Sequence, residues 1–177
     1  MFEFVSDIIA KDDASKKVYE ALRDLESLQA LVGIPEDKSP RKEDKITNAE
    51  LLYIHTNGSP VNGIPARPVI EPAIKDSKEE ISKHIKEASQ RALAGDIEGM
   101  RNSYEKAGLK GENAARDWFT NPKNNWKDVK QETINHRKKK MSKKQLENAI
   151  GNENAHRPLI DTDELRKSIT HVVREKD

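Results

Sequence analysis

Cysteine is absent from this 177-residue chain. Disulfides and thiolate metal sites are therefore excluded, which fits a cytosolic or virion protein. A dominant charge of one sign is missing as well. The 32 Lys and Arg and 31 Asp and Glu leave a net charge of +1, without the global basic excess from which a dedicated nucleic-acid binder draws its affinity. Any DNA contact must then be local. No stretch approaches the roughly 20 apolar residues that span a bilayer. The opening Met1-Phe-Glu-Phe-Val-Ser-Asp7 lacks a basic region followed by an apolar run, so no signal peptide is expected. Apolar residues are few, at 34%, and charged residues many, at 36%. Against typical values of roughly 45–50% and 25%, the core must be thin, with much surface left for solvent or neighbouring subunits.

What is present has the organisation of one domain over residues 1–177. Val18, Ala21, Leu22 and Leu25 repeat at helical spacing among charged residues, predicting a helix. After Leu28 the period changes, and Leu28, Ala30, Val32 and Ile34 alternate as in a short strand. Glu36 to Lys45 contains no apolar residue and is expected to be a mobile loop. Thr47 or Asn48 caps a short helix that Gly58 stops, and the residues from Gly58 to Pro72 read as extended and turn-rich. Ser77-Lys-Glu-Glu80 has the form of a capping box ahead of Ile81, Ile85, Ala88 and Ala92. Asp96 caps a long helix striped by Ile97, Met100, Tyr104, Ala107, Gly111, Ala114 and Trp118 and ending at Asn121-Pro122. Gly108 within it marks a kink or the close approach of another backbone.

The basic segment 123–154 is poorly patterned. In it Ser142 caps a brief helix through Leu146 and Ile150. Leu165 falls in one helical turn or an extended segment, and Ser168 to Arg174 reads as a strand that pairs with the one around Val32. The expected fold class is α+β, a small antiparallel sheet packed with several helices, one of them long.

Chemistry-bearing patterns are few. His55, His84, His136, His156 and His171 are scattered without metal-ligand spacing. Asp161, Asp163 and Glu164 beside Thr162 read as a helix cap with an acidic first turn; a hydrolase using them would need a divalent metal. There is no nucleophile–base pair or phosphate-binding glycine loop, so neither enzyme activity nor a cofactor is expected. Arg137, Lys138, Lys139, Lys140, Lys143 and Lys144 place six positive charges in eight positions. They suit DNA phosphates or an acidic partner, without aromatics for stacking single strands. Trp118, Phe119 and Trp126 read as core or interface, and Trp126, flanked by Asn and Lys, is the better candidate for an interface anchor. Pro65, Pro68 and Pro72 hold Ile64 to Ile74 extended, and Arg67 in that rigid frame can pair bidentately with a carboxylate across a junction.

Taken in order, Val32-Gly-Ile-Pro-Glu36, Ile64-Pro-Ala-Arg-Pro68 with Glu71-Pro-Ala73, Asp117-Trp-Phe119, Thr133-Ile134 with Arg137 and Lys138, and Pro158-Leu-Ile-Asp-Thr162 with Leu165, Ser168 and Ile169 resemble the signature segments of the virion-morphogenesis, or tail-completion, family of tailed bacteriophages. The resemblance spans about residues 28–174. Val69 and Ile70 stand where an aromatic is common, and Asp163 where glycine is usual. The long charged Glu36–Lys45 loop has no counterpart role.

The resemblance implies a non-enzymatic structural protein of the virion neck, made in the bacterial host cytoplasm. It would be a head–tail connector, collar or tail-completion ring, sixfold or twelvefold, contacting portal-adaptor and tail proteins, with the basic run facing DNA in the channel or an acidic neighbour. A ring needs heterologous contacts, and Pro65, Arg67, Pro68, Trp126, Leu159, Ile160 and Leu165 are the residues expected to shape them. The alternative is a small DNA-binding or packaging accessory protein using residues 137–144.

Overall fold

The computed structural model describes residues 2–40, 46–127, 129–140, 156–159 and 163–176, with backbone alone for 2–14 and 140. Among them are seven α-helices and a two-stranded antiparallel sheet. In chain order these are α1 (Phe2–Ser27), β1 (Leu28–Gly33), α2 (Asn48–Asn57), α3 (Ile70–Asp76), α4 (Lys78–Leu93), α5 (Ile97–Trp118), α6 (Gln131–Lys140), α7 (Glu164–Ser168) and β2 (Thr170–Glu175). The chain divides into two compact units. Unit 1 comprises Met1–Val32, Ser77–Gly111 and His171–Asp177, and unit 2 comprises Gly33–Asp76 and Glu112–Thr170.

Unit 1 packs α1 against α4. Its core gathers Ala21, Leu28, Ala88, Ala92, Met100 and Tyr104, with Leu25, Ala30, Ile85 and Val173 against it. The alanines keep the packed faces short, while Met100 fills the remaining volume. The Tyr104 hydroxyl donates to the Leu25 carbonyl at 3.1 Å, giving the phenol a partner at the core's edge. β1 pairs with β2 as the alternation predicts, and Lys176 N–H extends the pairing to the Ser27 carbonyl at 2.7 Å.

The α1 stripe is only half used. Ala21 is buried, but Val18 and Leu22 are 47% and 55% exposed. In α5, Asp96 caps as expected, its Oδ1 accepting from Gly99 N–H at 2.8 Å. The helix runs unbroken through Gly108. A Cβ there would lie 2.6 Å from the His171 ring, so the close neighbour is a side chain of β2, whose Nε2 lies 3.3 Å from Glu105 Oε2.

Unit 2 buries Val69, Ala73, Ala115, Trp118, Phe119, Ile134, Leu165 and Ile169, and α2 packs on α7. Thr47 caps α2 through a full capping box with Glu50. Upstream, Glu36–Lys38 forms a 3-10 turn. Ser39 behind it is buried, its carbonyl accepting from Asn48 N–H at 2.7 Å and its Oγ from Ala49 N–H at 3.2 Å.

Two expectations are corrected. Residues 70–76 are helical, not extended, because Pro72 falls in the first turn of α3, where a missing N–H costs no intrahelical bond. Ser77 makes no side-chain cap to α4, because α3 runs up to Asp76 and leaves Ser77 as a tight link with φ −96° and ψ 11°. The expected helix from Ser142 lies outside the described residues, as does Thr162. The residue that precedes α7 is Asp163, in the left-handed region at φ 62°. Its Oδ1 lies 2.9 Å from Arg166 Nε and its Oδ2 3.6 Å from Lys167 Nζ. The first of these is an ion pair without hydrogen-bond alignment.

Candidate interface groove

The segment after α2 is built by its turn residues. Ser59 and Ile64 exchange backbone bonds, at 2.8 and 3.0 Å, across the Pro60–Asn62 turn. Gly63 closes the turn in the left-handed region at φ 63°. Arg67 N–H then donates to the His55 carbonyl at 2.6 Å, tying the proline segment back onto α2. Pro65, Ala66 and Pro68 stay exposed, Arg67 is half-buried, and Val69 anchors the end of the segment in the interior.

Gly58 is where this path is tightest. With φ +74°, a Cβ on it would lie 2.8 Å from Ala66 N and 3.0 Å from the Ile64 carbonyl oxygen. Gly58→Ala is expected to cost about 1–3 kcal/mol from backbone strain and to loosen the 64–67 path. Urea unfolding and faster hydrogen exchange at the Arg67 amide would register it. Gly63→Ala has the same sign of φ but open space at its Cβ, and is expected to cost about 1–2 kcal/mol without disturbing that amide.

Opposite lies the stretch before α6. His55, Gly58, Ile64–Arg67, Lys127, Val129, Lys130 and Thr133 are among the residues that enclose a groove of about 870 Å³. Val129 N–H donates to the His156 carbonyl at 3.2 Å. Arg137 Nη1 donates to the Arg157 carbonyl at 2.7 Å, tying α6 to the 156–159 segment. Thus Ile64-Pro-Ala-Arg67 and Thr133, far apart in sequence, meet in one concave surface, with Pro68 outside it.

The charged side chains of its described lining are basic, Arg67, Lys127 and Lys130. Among the described residues no Asp or Glu lines the groove. Burial, and then the nearby Arg137 charge, make Arg67 a weaker base than an ordinary arginine, although a guanidinium remains charged. Burial, and then Arg67, hold the His55 imidazole below its ordinary value of 6.5, and its buried Nδ1 has no hydrogen-bond partner among the described residues.

His55 therefore gives stability a pH dependence of definite sign. The unfolded chain takes up its proton as pH falls through about 6.5, before the folded chain does, so stability present above that pH declines on acidification. His55→Gln is expected to flatten this part of the profile of urea midpoint between pH 7.5 and 5.5.

Of the other residues singled out in the sequence, Trp126 is half-buried and packs edge-on against Phe119, with ring centroids 6.1 Å apart at 86°. Leu159 is half-buried with φ 62°. Leu165 is buried on α7, inside unit 2 rather than on its surface. Lys138 is half-buried and Lys139 exposed, Lys140 closes α6, and Ile160, Lys143 and Lys144 lie outside the described residues. Sequence reasoning missed the groove roles of His55, Lys127 and Lys130. The one available signal was the nearness of the lysines to Thr133.

Among the described residues no cluster of His, Asp and Glu is arranged to hold a metal ion, and no helix is long and apolar enough to cross a membrane. Comparison with protein-family models, curated proteins and solved structures finds no match to this chain.

Proposed function

We propose that this chain is a structural subunit of a tailed-phage neck. It would assemble as a homo-oligomeric ring, sixfold or twelvefold, and join head to tail through protein–protein contacts on both faces. The observation that carries the reading is the meeting of parts of two signature-like segments, Ile64–Arg67 and Thr133 in the first turn of α6, in one groove. A rigid, proline-framed concave surface is suited to docking and has little to offer bond-making chemistry. Asp163 adds support. It adopts the left-handed backbone that a glycine at that place would take freely, so the different residue is no obstacle to the turn that the resemblance implies there.

Negative-stain imaging of the purified chain, alone and with portal-adaptor and tail proteins, tests the reading. Discrete rings that bind those partners are expected, together with the chain's presence in purified particles. Persistent monomers that bind duplex DNA, with binding lost on replacing the lysines of 138–144 by glutamine, would transfer the role to the packaging-accessory alternative. Absence from particles would end the neck assignment.

A further inference from the structure

We propose that the unit 2 groove receives an extended acidic peptide segment of a partner protein. Its carboxylates would be taken by Arg67 and Lys130, and its aliphatic side chains would lie against Ile64, Pro65 and Val129. This deepens the interface reading and rests on it, since it gives the chemistry of what docks at the proline segment.

Three observations converge. The lining carries His55, Arg67, Lys127 and Lys130 and, among the described residues, no acidic side chain to neutralise them. Arg67 has no carboxylate partner among the described residues, and its near neighbour in charge is another arginine. A carboxylate matches the planar guanidinium fork bidentately. Independently, His55 Nδ1 is a buried nitrogen in the groove-lining residue with no hydrogen-bond partner among the described residues, a group that burial penalises until something satisfies it.

Size and apolar character select the class of ligand. At about 870 Å³ the groove is near the upper end of the roughly 300–1,000 Å³ typical of small-molecule pockets, too large to be filled by a single inorganic anion. Ile64, Pro65, Ala66 and Val129 make much of its wall apolar, which suits aliphatic side chains. A DNA backbone would leave those residues unused, and no aromatic lines the groove to stack a base.

The test uses the full chain, 15N-labelled, titrated with a synthetic peptide of alternating glutamate and isoleucine. The matching glutamine–isoleucine peptide and a short DNA duplex serve as comparisons. The glutamate peptide is expected to bind at least about tenfold more tightly than its glutamine counterpart, a difference of about 1.4 kcal/mol, and to shift the His55 imidazole nitrogens. Arg67→Gln and Lys130→Gln should each weaken binding several-fold, while Lys83→Gln on α4 should not. The two groove variants guard against one that fails to fold. Equal binding of the two peptides, no binding of either, unchanged affinity in a folded groove variant, or DNA shifting the His55 signals at lower concentration than the peptide would each overturn the proposal.

Failure here is distinct from failure of the neck reading. Rings that ignore the glutamate peptide would remove the acidic partner and leave the ring. Peptide binding by a protein absent from particles would keep the groove's ligand and remove the neck.

Discussion

Arg116→Met is expected to lower stability by about 2–4 kcal/mol, because it strips the cation from a buried carboxylate. Glu112 is only 7% exposed at its side chain and sits 2.6 Å from Arg116 Nη1, with Thr170 Oγ1 donating to it at 3.2 Å. The same guanidinium also holds the residue between α7 and β2, its Nε and Nη2 donating to the Ile169 carbonyl at 3.0 and 2.7 Å. Removing one member of a buried pair costs about 3–5 kcal/mol when the charge left behind is fully enclosed. Arg116 is about one-third exposed, so water that enters can moderate the loss. Glu112→Gln should cost less, since the amide keeps an acceptor for Thr170 and leaves a cation that can turn outward to solvent. Arg116→Met combined with Glu112→Leu should recover part of the single-variant loss, since no ion then remains to be desolvated. Urea unfolding followed by tryptophan fluorescence gives all three values, and a double variant no more stable than Arg116→Met alone would contradict this account of the pair.

Much of the fold was legible where local chemistry decides the outcome. The change from helical to alternating period at Leu28 marks the α1–β1 boundary, and β-branched residues mark β2. Thr47 and Asp96 cap their helices because nothing else competes for the amides they serve. Legibility failed where a neighbouring element had already claimed the residues. Ser77-Lys-Glu-Glu80 has the form of a capping box, yet α3 ends at Asp76 and fixes Ser77 in a tight link. Pro72 suggests extension, yet its ring is tolerated in the opening turn of α3. Val18 and Leu22 show another limit. Periodicity identifies a face capable of burial, but whether anything covers that face depends on distant parts of the chain.

The groove divides in the same way. Its proline wall is written in the sequence, because proline and glycine constrain the backbone wherever they stand. The opposing wall is not, because Lys127, Val129 and Lys130 have no periodicity and acquire meaning only through what they face. His55 is likewise an unremarkable histidine in the sequence. Its position on α2, one turn before Gly58 redirects the chain, is what brings it beside Arg67.

Phe119→Ala is expected to be the most damaging substitution in unit 2, at about 3–5 kcal/mol. Phe119 is 1% exposed and the largest of the fully buried side chains among the described residues, at the point where the chain leaves α5 for the Pro122–Asn124 turn. Its ring is met edge-on by Trp126, a geometry worth about 0.5–1.5 kcal/mol beyond the area it buries. The turn between them is tied independently, with Asn124 Nδ2 donating to the Trp118 carbonyl at 2.9 Å and Trp126 N–H to Asn124 Oδ1 at 3.0 Å. Truncation should therefore leave a cavity rather than let the segment collapse into it, which places the loss toward the upper end of the range. Phe119→Leu should cost clearly less, since it refills most of the volume and gives up mainly the aromatic contact. Because Trp126 adjoins Lys127 in the groove lining, Phe119→Ala should also weaken the groove's hold on the glutamate peptide at temperatures where the variant is still folded. Thermal and urea unfolding of the two variants, with peptide titration below the transition, distinguish a cavity effect confined to the interior from one that reaches the docking surface.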